Sequence, residues 1–163
     1  MSVKAKPDGY HTATPYLVIR GAKDAIEFYK NAFGAKELLR LENPDGSVAH
    51  AEVLIGDSPI MIGEEMKEMG YLSPKSVGGT GSSIMLYVDD ADSIFAQAVA
   101  AGGQEERPVA DQFYGDRSGM LLDPFGHRWA VATHIEDLTQ DEVNRRFAEM
   151  LNCQSGESST VNN

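Results

Sequence analysis

The stretch TPYLVIRGAKDAIEFYKNAFGA, residues 14–35, decides how the rest of the chain is read. Its first seven residues are mostly apolar and partly β-branched, which predicts a strand over Thr14–Arg20. The period then changes. Ala22, Ala25, Ile26, Tyr29 and Phe33 recur at helical spacing, and Gly34 stops the helix. Strands near Glu37–Glu42, Val48–Ile55 and Ile60–Ile62 follow, parted by the turn sequences NPDG (43–46) and GDSP (56–59). The second half repeats this order. SIMLYV (83–88) reads as a strand, and Ala91, Ile94, Phe95 and Ala98 as a helical stripe closed by Gly102–Gly103. Strands near Glu105–Val109, Ser118–Leu122 and Arg128–Thr133 complete it. Adding 69 to a first-half number lays Thr14 on Ser83, Leu17 on Leu86, Ile19 on Val88 and Gly34 on Gly103. The fold class is α+β, built from tandem βαβββ modules.

Working outward, residues 1–13 read as a flexible lead-in, 14–64 as module one, 65–81 as a Gly- and Ser-containing linker and 82–136 as module two. Within 137–152 a C-terminal helix is predicted over Gln140–Leu151, with Thr139 and Glu142 as a capping box and Val143, Phe147, Met150 and Leu151 on one face. Residues 153–163 read as a disordered polar tail.

The 163 residues carry 14 Lys+Arg against 25 Asp+Glu, a net charge of −11, which makes a nucleic-acid or anionic-membrane partner a poor fit. The acidity is uneven: residues 1–80 hold 9 basic and 11 acidic side chains, residues 81–163 hold 5 and 14. A solvated acidic surface accounts for this; so does a rim that attracts a cationic ligand. The single cysteine, Cys153, leaves no disulfide within one chain, and no stretch approaches the roughly 20 apolar residues of a membrane span. A cytoplasmic setting is the expectation.

PYLVIRGAKDAIEFYKNAFGA (15–35), HAEVLIGDSPIMI (50–62), YVDDADSIFAQAVAAGG (87–103) and DPFGHRWAVATH (123–134) resemble the vicinal oxygen chelate superfamily of glyoxalases, bleomycin-resistance proteins and extradiol dioxygenases, and within it the PhnB-like branch. The resemblance implies a cup-shaped, mostly antiparallel curved sheet with helices on its outer face, a ligand in the cup, and a homodimer. Metal-dependent members place one ligand on the first and last strand of each module. Those positions fall here on Thr14, Met61, Ser83 and Ala130, none of them His, Asp or Glu. No metal or other cofactor is therefore expected at these four places, and dioxygenase activity is disfavoured.

If those four positions face the cup, strand alternation adds the others. Tyr16, Met85, Tyr87, Arg128 and His134 join them, with His50 and Glu52 on the third strand and Arg117, Gly119 and Leu121 on its counterpart in module two. Phe113 and Tyr114, in the loop DQFYG (111–115), are candidate lid residues. His50 and Glu52, two apart on a strand, share a face with bases roughly 7 Å apart, close enough to poise a general base; an exposed pair or an ion pair with Arg117 or Arg128 is the plainer account. The expected ligand is a small molecule, cationic or amphipathic, held in a mostly apolar cup with a few polar groups. The alternative is an isomerase or lyase of glyoxalase type that uses His50 and Glu52 or a metal at a non-standard position.

Overall fold

Each module lays one helix on the apolar side of a four-stranded sheet. In chain order the elements are β1 (Tyr16–Ile19), α1 (Ala22–Phe33), β2 (Lys36–Glu42), β3 (Val48–Ile55), β4 (Ser58–Glu64), a short α2 (Pro74–Val77) in the linker, β5 (Ser83–Tyr87), α3 (Ala91–Ala100), β6 (Gln104–Asp111), β7 (Asp116–Leu122), β8 (Arg128–His134) and α4 (Gln140–Glu157). The computed structural model describes residues 3–157, with side chains through Cys153. α4 continues beyond the Leu151 expected from its apolar face, and the rest of the predicted tail lies outside the described residues.

The strand orders are β1-β4-β3-β2 and β5-β8-β7-β6. In each sheet the first strand pairs parallel to the last, and the remaining pairings are antiparallel. Alternation explains which side is buried. Leu17, Ile19, Ala51, Val53, Ile55, Ile60 and Ile62 of sheet one are buried, as are Leu86, Leu121, Trp129 and Val131 of sheet two. These sides meet the helices in a single core. The ring of Tyr29 on α1 lies 5.2 Å from Trp129 and that of Phe33 4.8 Å from it, so α1 packs on module two as well as on its own sheet. Beside it, the Gln97 amide of α3 donates to the carbonyls of Asn31 and Ala32 at the end of α1.

One carboxylate ties this core together. Asp123, 3% exposed, accepts from the Tyr29 hydroxyl at 2.8 Å and the Trp129 indole at 2.9 Å through one oxygen. Its other oxygen accepts from the backbone N–H groups of Phe125 and His127 at 2.9 and 2.8 Å. A buried charge is tolerated when it is this fully bonded.

The edges of β1 and β5 do not pair with each other. The Val18 carbonyl on the free edge of β1 accepts from His127 Nε2 in the β7–β8 turn. Reciprocally, β5 borders the β3–β4 turn across a cleft of about 540 Å³ lined by Ile55, Pro59, Ile84 and Leu86. The helix-facing sides are shared, and the opposite, open side of each sheet carries exposed rings, Tyr16 at 49% on one and Tyr87 at 63% on the other. Asp116, Ser118, Ala130 and Ala132 on the second are nevertheless buried beneath their neighbours.

Helix starts are fixed from neighbouring strands. Gly21 precedes α1 with φ +90 and has no side chain to cap it, so both carboxylate oxygens of Glu64, at the end of β4, accept from Gly21 and Ala22 N–H at 2.7 and 2.8 Å. In module two Asp90 accepts from Ser93 N–H, and the Thr133 hydroxyl at the end of β8 accepts from Ala91 N–H.

Candidate functional site

On sheet one, register aligns Tyr16, Met61, Glu52 and Leu39 in one row across β1, β4, β3 and β2. Gly63 and Leu41 flank His50 in the neighbouring row. Gly63 leaves room for the Tyr16 ring to lie across it, since a Cβ there would sit 2.7 Å from the Tyr16 hydroxyl oxygen. That hydroxyl reaches His50 Nδ1 at 3.2 Å, while His50 Nε2 faces Glu52 Oε1 at 3.2 Å. The other Glu52 oxygen accepts from the Tyr10 hydroxyl, and the nearby carboxylate raises the Tyr10 pKa and keeps the phenol protonated. The sequence expectation that His50 and Glu52 share this side with Tyr16 and Met61 matches the placement. Tyr10 escaped the reading because residues 1–13 carry no periodic pattern to place it on a sheet.

Two cavities flank the Tyr10–Glu52–His50–Tyr16 chain. One of about 640 Å³ lies between the lead-in and the sheet, bordered by Pro7, Tyr10, Leu39, Glu52 and Met61. The other, about 480 Å³, lies on the far side of Tyr16 and is bordered by Met66, Met69 and Tyr71 of the linker.

On sheet two the open side carries Met85, Tyr87, Arg128, Ala130, Ala132 and His134, paired with Asp116, Ser118 and Met120 of β7. This corrects the side expected for β7. Arg117 lies on the helix side, where it bonds both carboxylate oxygens of Asp92 on α3 at 2.6 and 2.7 Å, and Asp111 at 2.8 Å. Gly119 lies under Phe95, and Leu121 is wholly buried. Small and polar residues on β7 hid its alternation, and the pairing with Ala130 settles it.

Asp116, 4% exposed, accepts from Tyr87 and His134, each at 2.8 Å, and His134 meets Asp137 through its second nitrogen at 3.1 Å. The two carboxylates, Asp116 first, raise the His134 pKa and favour its charged form. The same Asp116 bond raises the Tyr87 pKa. Arg128 is paired with Glu106. Phe113 stacks obliquely on Phe147 of α4 with centroids 5.3 Å apart, while the Tyr114 hydroxyl lies 3.4 Å from Ser118 Oγ on the open side. The loop thus joins α4 to the rim of sheet two. His50 and Glu52 sit on one sheet, and Tyr87, Arg128 and His134 on the other.

The sequence pattern of the glyoxalase/bleomycin resistance protein/dioxygenase superfamily matches residues 11–131. The chain belongs to this superfamily. An uncharacterised protein of Mycobacterium bovis is 36% identical over 146 residues, covering 88% of this chain and 93% of the relative. Among solved structures, TioX from Micromonospora sp. ML1 shares the fold with a TM-score of 0.60 at 24% identity, over 79% of this chain and all of TioX. A PhnB protein from Bacillus cereus does so with a TM-score of 0.60 at 19% identity, over 76% of this chain and 99% of that one.

At the four positions where the family resemblance implies metal ligands stand the Thr14 hydroxyl, which donates to the His11 carbonyl, the Met61 thioether, the Ser83 hydroxyl and the Ala130 methyl. That set does not fit a hard or borderline divalent cation. Among the described residues no group of three or more His, Cys, Asp and Glu side chains is arranged to hold one elsewhere.

Proposed function

We propose that this superfamily member is a binding protein that holds a small amphipathic molecule, without metal at the four family positions, in a cup made of sheet one of one copy and sheet two of a second. The observation that carries the reading is the occupation of the polar groups of sheet one by the chain itself. Both nitrogens of His50 and both oxygens of Glu52 already have partners, so neither is a free base, whereas Tyr16, Tyr71, Met66 and Met69 nearby are exposed. The open sides face away from the core of a single chain, which supports a homodimer. The excess of acidic side chains in residues 81–163 favours a ligand with a cationic end. The acidic net charge supports a protein without nucleic-acid partners, and among the described residues no helix is long and apolar enough to cross a membrane. We place it in the cytoplasm on its single unpaired cysteine.

Light scattering on the eluting protein gives twice the chain mass on this reading. Fluorescence anisotropy of the amphipathic cation rhodamine 6G then rises to saturation at one dye per chain. A monomer that binds no dye ends the proposal. The His50–Glu52 contact at 3.2 Å is the observation that favours the second reading, an isomerase or lyase of glyoxalase type. Turnover of a hemithioacetal that disappears in His50→Ala establishes it with His50 in the mechanism, turnover that survives the substitution removes His50 and Glu52 from it, and no turnover by the unsubstituted chain removes the reading.

A further inference from the structure

The lead-in lies across the open side of sheet one with few fastenings. Among its described residues, 3–13, none forms a regular element or pairs with a strand. The turn Pro7–Tyr10 closes by a bond from Tyr10 N–H to the Pro7 carbonyl, and Gly9 takes φ +84 within it. This left-handed step, which glycine adopts at little cost, delivers Tyr10 to Glu52. A second fastening is His11 Nε2, 3.2 Å from the Asp57 carbonyl. Between these residues and the sheet lies the cavity of about 640 Å³, apolar at Pro7, Leu39 and Met61 and closed at its polar end by the phenol on Glu52.

An internal group on a binding carboxylate shows what that carboxylate accepts. Glu52 receives a neutral aromatic hydroxyl, while Lys6 borders the same cavity and opposes a cation there. His50 already occupies the second oxygen, so one donor position remains, and an aromatic body fits the apolar wall.

We propose that residues 4–12 are a displaceable cover over sheet one, that Tyr10 is an internal stand-in for the ligand, and that this side of the cup takes a neutral aromatic alcohol whose hydroxyl donates to Glu52 in place of Tyr10. This rests on the binding function proposed above and names the chemical class that its module-one half receives. A ligand must displace Tyr10, so its apparent affinity is reduced by the fraction of time the cover is closed.

Calorimetric titration with 4-pentylphenol, 4-pentylanisole and pentylammonium chloride tests this on the full chain, Tyr10→Phe, Glu52→Gln and a chain lacking residues 2–10. Tyr10→Phe and the shortened chain bind 4-pentylphenol roughly ten- to a hundredfold more tightly than the full chain, the scale of one lost competing hydrogen bond to a charged group. The anisole, which has no donor, gains nothing, and Glu52→Gln combined with Tyr10→Phe abolishes the gain. Unchanged or weaker binding of the phenol by both cover variants overturns the inference, and an equal gain for pentylammonium overturns the ligand class. If no chain binds any of the three probes while rhodamine 6G still saturates, the inference fails alone. If the dye does not bind either, the binding function fails with it.

Discussion

The two modules meet the same local demands with different side chains. Glu64 and Thr133 occupy the same place at the end of the last strand, offset by the repeat of 69, and each accepts from the first N–H of its own module's helix. Module one places a carboxylate there because Gly21 has nothing to offer. Module two needs only a hydroxyl because Asp90 shares the task. The open sides diverge in the same way. Sheet one lodges a histidine between a tyrosine hydroxyl and a carboxylate, and sheet two lodges one between two carboxylates. The repeat preserves where a polar group must stand, and leaves open which group stands there.

The largest effect comes from the place where the modules stop being equivalent. Asp123 has no counterpart in module one with such a set of partners. Asp123→Ala strands the Tyr29 hydroxyl and the Trp129 indole in the core, and denaturant unfolding is expected to show a loss of about 3–5 kcal/mol. Both modules should unfold in one transition at the lower midpoint. Two separate transitions would break the comparison, because they would make the modules independent. Next come the caps. Glu64→Ala is expected to cost about 2 kcal/mol and Thr133→Ala about 1, since one removes both acceptors of α1 and the other leaves Asp90 in place. Equal losses would mean that the two ends are not compensated differently.

The smallest effect is on pH dependence. His134 has its pKa raised above the ordinary 6.5, so its contribution is full below that value and is lost as pH climbs through the raised folded pKa. His127 is the reverse case. Burial lowers its pKa, so the folded chain resists protonation there, and stability falls as pH drops below 6.5 toward the lowered value. Thermal melts from pH 5 to 9 should show His134→Gln losing the advantage of mildly acidic over alkaline solution, and His127→Asn losing the acid penalty. Identical profiles for both variants would remove the distinction.

The βαβββ order and the buried sides of β1, β3, β5 and β8 were legible because their apolar residues alternate cleanly, as in Leu17, Ile19, Ala51 and Val53. β7 was not. Its glycine and serine fit either side, so only pairing with β8 reveals that Ser118 and Met120 are on the open side and Arg117 is not. His50 and Glu52 could be placed together by a spacing of two, but their partners could not. Tyr16 reaches His50 over Gly63, a contact set by the absence of a side chain, and Tyr10 arrives from a segment without periodicity. Asp123 sat in plain view in DPFG as a turn residue. The turn did not reveal that its carboxylate also receives a tyrosine from 94 positions earlier.

That bond has a consequence for how the protein is made. A chain leaving the ribosome finishes the strands of module one while Tyr29 and Phe33 still lack the Trp129 surface they pack on. From the end of β4 at Glu64, 59 further residues are needed to reach Asp123, which accepts the Tyr29 hydroxyl across 94 positions. Through that interval the nascent first half exposes an aromatic face that only its own second half covers, so rapid translation of module two protects module one from aggregation.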